Sequence, residues 1–531
     1  MDAPADTSPS TSPPQPDAAP QHDKLDRHET HRDADPEDLS PIQSTRSRVD
    51  PPSTLLGEIF FVFVICMAQF LTQTGLSLSI PTAHIIAESF NTDDPGQMSW
   101  FAAAYSLTVG TFILVAGRLG DLYGHKLMFV TGFCWYGLWS LLAGFSVWSG
   151  PIFFNCCRAF QGIGPAMLLP NSIAILGRAY PPGPKKGMIF SLFGAAAPSG
   201  FVVGGVFAAI FSQLVWWPWS YWVMGMFCFL FAVLGLLAIP RTPTPRHTDN
   251  LSAIARIDLF GAVTGISGLV LINFAWNQAP LVGWTDPYTY VLLIVGFLFL
   301  ALFAFVERNA ACPLLPRAVF SGELAWVLGC IAAGWSSFGI VIYYYYQFME
   351  TIKGDTPLLA LAKWTAAPIV GAIAAIMTGF LLGRVPPSFI MFCAMSAFTI
   401  GNALNATIPL NQTFCLQPTD LLRDMSFPSG TIILSNAMPR RHQGLAASLV
   451  STVVNYSISI GLGLAGTVEV HVNRHGQDVL RGYRGAEYLG TGLAGLGLVI
   501  SVCYMIVSWR RSRREPSNEK DEEKEDTGSG Q

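Results

Sequence analysis

Asn155, Arg158 and Gln161 recur at three-residue spacing inside the apolar run Phe153-Phe154-Asn155-Cys156-Cys157-Arg158-Ala159-Phe160-Gln161-Gly162-Ile163-Gly164. On a helix that spacing lines them along one side. A guanidinium so placed either binds backbone carbonyls as a structural element or works directly on a passing solute, and both readings stand. Gln69, Thr72, Gln73 and Ser77 form a second polar set, with 69, 73 and 77 on one helical face. The third is Tyr343-Tyr344-Tyr345-Tyr346-Gln347. Phenol rings suit an amphiphilic organic solute, and they equally suit a water–lipid boundary. Two of the four rings are assigned to that boundary and two to a cavity, with Tyr343, Tyr346 and Gln347 as the cavity candidates. Proton exchange needs a carboxyl whose protonation changes with its surroundings. Glu58, Asp258 and Glu307 fall at inner ends of apolar runs, Glu88, Glu323 and Glu350 near other ends, and Glu469 late in a run, so none is central. No His cluster, paired acids at catalytic spacing or metal-ligand spacing occurs, which argues against an enzyme and implies no metal or cofactor.

The elements that must hold these residues follow from composition. The chain has 531 residues, 51% hydrophobic and 12% charged, about half the charged share of a soluble domain. Charge concentrates at the ends: residues 1–52 carry 5 basic and 11 acidic groups, and residues 510–531 carry 6 and 7. A net charge of −4 without a basic stripe gives no reason to expect nucleic acid. A helix crossing hydrocarbon needs about 20 apolar residues. Fourteen such runs occur, at 57–80, 98–117, 127–147, 151–175, 187–211, 219–239, 257–277, 288–307, 324–349, 357–381, 387–407, 421–438, 443–469 and 486–509. With the N-terminus inside, the inner connections hold thirteen Lys and Arg and the outer ones six, as retention of basic residues on the cytoplasmic side requires. Both tails are then cytoplasmic. Asn405-Ala406-Thr407 and Asn411-Gln412-Thr413 fall outside, making Asn405 and Asn411 candidate glycan acceptors. Eight of the ten cysteines lie in apolar runs, where a thiol acts as a small hydrophobe. Residues 1–52, rich in Asp, Pro, Ser and Thr, form a solvated tail.

The segment Gly117-Arg118-Leu119-Gly120-Asp121-Leu122-Tyr123-Gly124-His125-Lys126 joins spans two and three. Its glycines permit a tight connection, and Asp121 suits the positive end of a neighbouring helix. This segment resembles the loop signature of the major facilitator superfamily, with Gly117, Leu119, Asp121, Gly124 and Lys126 on its positions. Arg158, Gln161 and Gly162 match that family's fourth-helix signature. The run Gly194-Ala195-Ala196-Ala197-Pro198-Ser199-Gly200-Phe201-Val202-Val203-Gly204-Gly205 is similar to its antiporter signature. Fourteen spans look like its drug:proton antiporter branch. The stretch from Trp100 to Thr111 and Trp216-Trp217-Pro218-Trp219 resemble the fungal aminotriazole-resistance and boron-efflux subgroup. The departures are specific. Leu122 stands where the loop signature has a basic residue, Phe201 takes a proline position, and Thr72 stands nine positions before Pro81, where the branch has an acid. If an acid of span one carries the proton in relatives, this chain must use another.

The resemblance implies an all-α integral membrane protein of two six-helix halves, residues 53–240 and 311–509, with two inserted helices within 241–310 and a cytoplasmic tail at 510–531. A substrate site near the midplane would open to each face in turn. Gly200, Gly204 and Gly205, with Gly461, Gly463 and Gly466, are small-residue seams on which helices pack or slide. Asp121 is expected to latch against the start of span thirteen near Gln443, with Gly117, Gly124 and Lys126 shaping that gate. The leading reading is a proton-driven exporter of toxic organic compounds, drugs or secondary metabolites, acting as a monomer on small molecules and protons in the lipid bilayer. Boric acid is the alternative cargo. A transporter-derived sensor would need a tail with a helical or binding pattern, and residues 510–531 show mixed charge instead. The cell membrane is the expected location, with the vacuolar membrane as the alternative.

Overall fold

The structure, a computed structural model, describes residues 52–181, 183–240, 257–310, 313–315, 322–364, 366–381, 384–409, 443–474 and 476–528. The first half comprises α1 (Leu55–Ser77), the short α2 (Ala83–Ser89), α3 (Pro95–Tyr123), α4 (His125–Phe145), α5 (Pro151–Ala179), α6 (Pro184–Ile210) and α7 (Pro218–Ala238). Then come α8 (Leu259–Val282) and α9 (Pro287–Asn309). The second half comprises α10 (Gly322–Gln347), α11 (Pro357–Trp364), α12 (Ala366–Leu381), α13 (Pro387–Ala406), α14 (Gln443–Val472) and α15 (Val479–Gly528). Among the described residues, twelve helices are long and apolar enough to cross a bilayer.

Proline starts α3, α5, α6, α7, α9 and α13. Its missing N–H costs nothing in a first turn, and its φ is already helical. Asp94 caps α3 by accepting from the Gly96 amide at 2.8 Å. Between α3 and α4 the whole connection is Gly124, at φ +100°, a conformation that costs glycine little. α6 and α10 each end in one π-helical turn, at Phe211–Val215 and Phe348–Ile352.

In the first half α5 packs on α3 and α4, α4 on α7, and α1 on α6; in the second, α15 packs on α10 and α13, and α14 on α10. The halves meet where α3 lies on α14 and α6 on α12. α8 leans on α3 and α14, whereas α9 packs chiefly on α8 and leaves Phe297, Leu298 and Phe305 exposed. Such apolar surface is at home against lipid tails. The end of the bundle bearing α2 is called upper here, and the end bearing Gly117–Lys126 lower.

Twelve of the fourteen spans expected from the sequence coincide with these helices. The tenth, at 357–381, carries α11 and α12, and residue 365 between them lies outside the described residues. The twelfth, at 421–438, lies outside the described residues, as does Asn411. At the C-terminus the expectation of a tail without helical pattern is corrected: α15 continues to Gly528. The stretch after Trp509 is rich in Arg, Glu and Lys, which favour helix strongly enough to extend one already begun in the membrane.

Candidate functional site

Arg158, on α5, is completely buried. Its Nε donates to the Phe101 carbonyl at 2.8 Å, and its Nη2 to the Gly75 carbonyl at 2.8 Å and to Ser79 Oγ at 3.2 Å. Nη1 donates to Gln161 Oε1, and Gln161 Nε2 donates to Ser140 Oγ at 2.7 Å. Gly75 lies in the last turn of α1, where carbonyls lack helical partners and the helix dipole is negative. The guanidinium therefore caps α1 while also binding α3. Tyr105 lies beneath it, with the ring centroid 4.5 Å from Cζ, adding a cation–π contact. The Tyr105 hydroxyl donates to the Thr72 carbonyl at 2.7 Å, and that of Tyr136 to the Leu71 carbonyl at 2.9 Å. This is the carbonyl-bound arrangement, assembled from α1, α3, α4 and α5.

Not every residue of the expected polar stripes joins this network. Asn155 is half-buried on α5, and its Oδ1 has no hydrogen-bond partner among the described residues. Gln69 is buried and Gln73 half-buried on α1. Ser77 donates to the Thr74 carbonyl at 3.0 Å, and Thr74 Oγ1 donates to the Gly200 carbonyl at 2.9 Å. A methyl at Gly200 would collide with the Phe70 backbone, and one at Gly204 with Ser77 Oγ and the Thr74 Cα. These two glycines bring α6 onto α1 within the first half. Gly205 faces the other half, its virtual Cβ 3.1 Å from Leu361 Cδ1. Gly461 approaches the Ser336 carbonyl and Gly463 the Trp276 and Asn277 backbone, so α14 contacts α10 and α8 through different glycines.

At the lower end, Asp121 pairs with Arg178 at 3.1 Å and His125 Nε2 at 3.4 Å. His125 Nδ1 is 2.7 Å from Asn171 Oδ1. Lys126 Nζ donates to the carbonyls of Leu236, at 2.8 Å, and Ile239, closing the C-terminus of α7 with a positive charge. These partners of Asp121 all belong to the first half. The approach to α14 at this end runs through Gly117, whose virtual Cβ is 3.7 Å from Ser448 Oγ. The Gln443 side chain, toward which Asp121 was expected to latch, is outside the described residues.

The upper end holds a second polar cluster. Tyr343, Tyr344, Tyr345 and Tyr346 are all buried, at 0–2% exposure, which corrects the assignment of two rings to the lipid boundary. Tyr344 donates to Glu469 Oε2 at 2.8 Å and Tyr345 to the Ala360 carbonyl at 3.3 Å. The hydroxyls of Tyr343 and Tyr346 have no partner among the described residues. Gln347 is buried and hydrogen-bonds His84. His84 Nε2 lies 3.0 Å from Thr351 Oγ1, joining α2 to the π turn after α10 and so bridging the halves. One oxygen each of Glu350, Glu469 and Glu487 is buried and unpartnered. Beside Glu487 lies a narrow cleft bounded by Tyr344, Tyr345, Phe348, Asn405 and Tyr483 among others. Asn405 is half-buried on the last turn of α13, a setting far from that of an extended, accessible sequon. That buried Glu469 and Glu487 each reach this tyrosine cluster, Glu469 at Tyr344 and Glu487 in the cleft beside Tyr483, was not anticipated. The available signal was Glu487 at the start of an apolar run, where an acid is expensive.

An all-helical bundle with paired halves and buried polar nests within apolar helices defines a multi-pass membrane transporter rather than an enzyme. Residues 65–416 match the Major Facilitator Superfamily, and the chain belongs to that family. It is 58% identical to a low affinity ammonium transporter of Saccharomyces cerevisiae, over 87% of this chain and 91% of that protein. It is 46% identical to the efflux pump terJ of Aspergillus terreus, over 91% and 95% of the two chains. Identity to the aminotriazole resistance protein of Saccharomyces cerevisiae is 40%, over 86% and 85%. A solved structure of the nucleoside transporter NupG shares the fold with a TM-score of 0.54 at 11% identity, covering 84% of this chain and 99% of that one.

Proposed function

We propose that this chain is a proton-coupled efflux pump that exports small organic compounds by alternating access. The observation that carries the proposal is how the halves meet. A Cβ at Gly110 would lie 2.6 Å from the backbone nitrogen of Tyr456, so α3 and α14 touch backbone to backbone. α6 meets the second half through Gly205 on Leu361 and Phe201 on Trp364, whose ring centroids are 5.6 Å apart. Small-residue seams of this kind let one half rock on the other without opening polar backbone to lipid. The upper contact of His84 with Thr351 is one closure of that rocking motion, and Asp121 with Arg178 and Lys126 stiffens the other end. In this reading Arg158 and Gln161 hold the first half together, Gln69 and Gln73 line the solute path, and both termini are cytoplasmic in a cell-membrane protein.

A second reading, movement of ammonium itself, is favoured by the 58% identity to a low affinity ammonium transporter. Reconstituted vesicles with an imposed pH gradient test both against a panel of toxic organic solutes, borate and methylammonium. Gradient-dependent flux of an organic solute supports export. Flux of methylammonium alone supports the second reading, and no gradient-dependent flux of any panel solute overturns both.

A further inference from the structure

We infer that the upper seam binds an ammonium-type cation, either ammonium or a protonated primary amine, through Glu469, Glu350 and Tyr343. The inference rests on the transport reading above and adds the chemical class of the cargo and the place where it is held.

Glu469 is the centre of the argument. It is 2% exposed, and Tyr344 donates to its Oε2 at 2.8 Å while its Oε1 has no hydrogen-bond partner among the described residues. A buried carboxylate with a free oxygen is costly unless a positive charge or a proton meets it. Tyr343 supplies a second, independent buried polar group. Its side chain is 2% exposed, its hydroxyl is unpartnered, and that hydroxyl lies in the field of Glu469, Tyr483, Glu350 and Asp94. Glu350, on the adjoining π turn, likewise keeps a buried unpartnered oxygen.

The donor set selects the kind of cation. Among the described residues no three acidic, His or Cys groups converge closely enough to hold a metal ion, whereas calcium takes six to eight oxygens. An ammonium group instead donates N–H bonds to separated acceptors and rests against aromatic faces. Tyr343, Tyr344 and Tyr483 form that wall, with ring centroids 5.2 Å apart for the first pair and 5.8 Å for Tyr344 and Tyr483.

The surrounding charges are Asp94 from the start of α3, His84 from α2, and Glu487 and Arg484 from α15. Arg484 Nη2 donates to the Ile408 carbonyl at 3.4 Å, and Lys353 lies over the Phe348 ring. A proton on Glu469 removes the charge that holds the amine, so proton and amine exclude each other there, as exchange across a membrane requires.

The test is equilibrium binding of radiolabelled methylammonium to the purified full-length chain in lipid nanodiscs, without any gradient. Saturable binding is expected, displaced by ammonium and by lowering pH, and left unchanged by equal sodium. Glu469→Gln should weaken it roughly tenfold or more, as loss of a buried charge partner does. Tyr343→Phe, which keeps the ring and shape, should weaken it measurably with an unchanged gel-filtration profile. Tetramethylammonium, lacking N–H donors, should compete poorly. Unchanged affinity in both variants, equal displacement by sodium, or no saturable binding each overturns the site. Export of an organic solute by vesicles of that same protein would then leave the transport reading standing, so the two failures are distinguishable.

Discussion

The Nε of Arg158 donates to the carbonyl oxygen of Phe101 at 2.8 Å, while the same guanidinium caps Gly75 at the end of α1. One side chain thus fixes three helices of the first half. Arg158→Ala takes the charged donor from the Gly75 carbonyl in a dry interior, at roughly 1–3 kcal/mol for an unsatisfied group, while the Phe101 carbonyl keeps its bond from Ser79 Oγ at 3.1 Å. The expected outcome is a protein that reaches the membrane in reduced amount and melts earlier in detergent, with Arg158→Lys intermediate because an ammonium lacks the planar fork. A variant with wild-type melting and abolished transport would assign Arg158 to the solute path instead.

Gly75 has a second neighbour. A methyl there would occupy the position of the Tyr136 hydroxyl and sit 3.0 Å from that of Tyr105. Gly75→Ala should therefore destabilise the first half by roughly 1–3 kcal/mol, the usual range for overpacking. Adding Tyr136→Phe removes the obstructing oxygen, so the double variant should be more stable than Gly75→Ala alone. A double-mutant cycle of thermal unfolding measures this coupling, and simple additivity would refute the steric account.

His84 predicts a pH dependence at the upper end. Burial holds its imidazole below the ordinary histidine value, with the Gln347 bond acting weakly the other way. The closed arrangement, in which Nε2 meets Thr351 Oγ1 and the phenol of Tyr483 and the carboxyl of Glu350 lie close behind, thus prefers neutral His84. Opening returns the ring to water and to a pKa of about 6.5. The open form then binds more protons, so closure is fully favoured above that value and weakens as pH falls through the lowered one. Labelling of a cysteine introduced at Thr92 by a membrane-impermeant reagent should rise as external pH drops below about 6. His84→Gln should flatten that rise, and a pH response left intact in the variant would exclude the switch.

The spans were readable because hydrocarbon imposes one long apolar period per crossing, and twelve of them coincide with helices here. The stripe of Arg158 and Gln161 was readable for the same reason, since ionisable groups are conspicuous in such runs. What spacing could not supply was partners. Tyr344 and Glu469 are 125 residues apart, and four consecutive tyrosines point in four directions around α10, so only α14, α15 and α11 packing around it determine that all are covered. Asp121 carried a similar ambiguity, because Arg178 and Gln443 both lie near a lower helix end in sequence terms. The inserted α8 was read as a generic span, although Asn273 and Asn277 give it a specific attachment.

That attachment yields the last prediction. The single hydroxyl proton of Ser459 on α14 is shared between the Ala103 carbonyl at 2.9 Å and Asn273 Oδ1 at 2.8 Å, and Asn277 Nδ2 donates to the Ser459 carbonyl at 3.1 Å. α3, α8 and α14 therefore share one buried polar joint, and Gly463 lets α8 reach it, since a Cβ there would lie 2.8 Å from the Trp276 backbone. Ser459→Ala removes one shared hydroxyl hydrogen bond worth about 0.5–1.5 kcal/mol, while the neighbouring Asn277 bond to the main chain survives. Gly463→Ala instead drives backbone from backbone and should cost more, because no side-chain rotation relieves it. Thermal melting should rank the wild type above Ser459→Ala and that above Gly463→Ala. Disulfide trapping between cysteines at 273 and 459 should succeed in every transport state if α8 travels with α14, and crosslinking confined to one state would make the inserted helix a moving part.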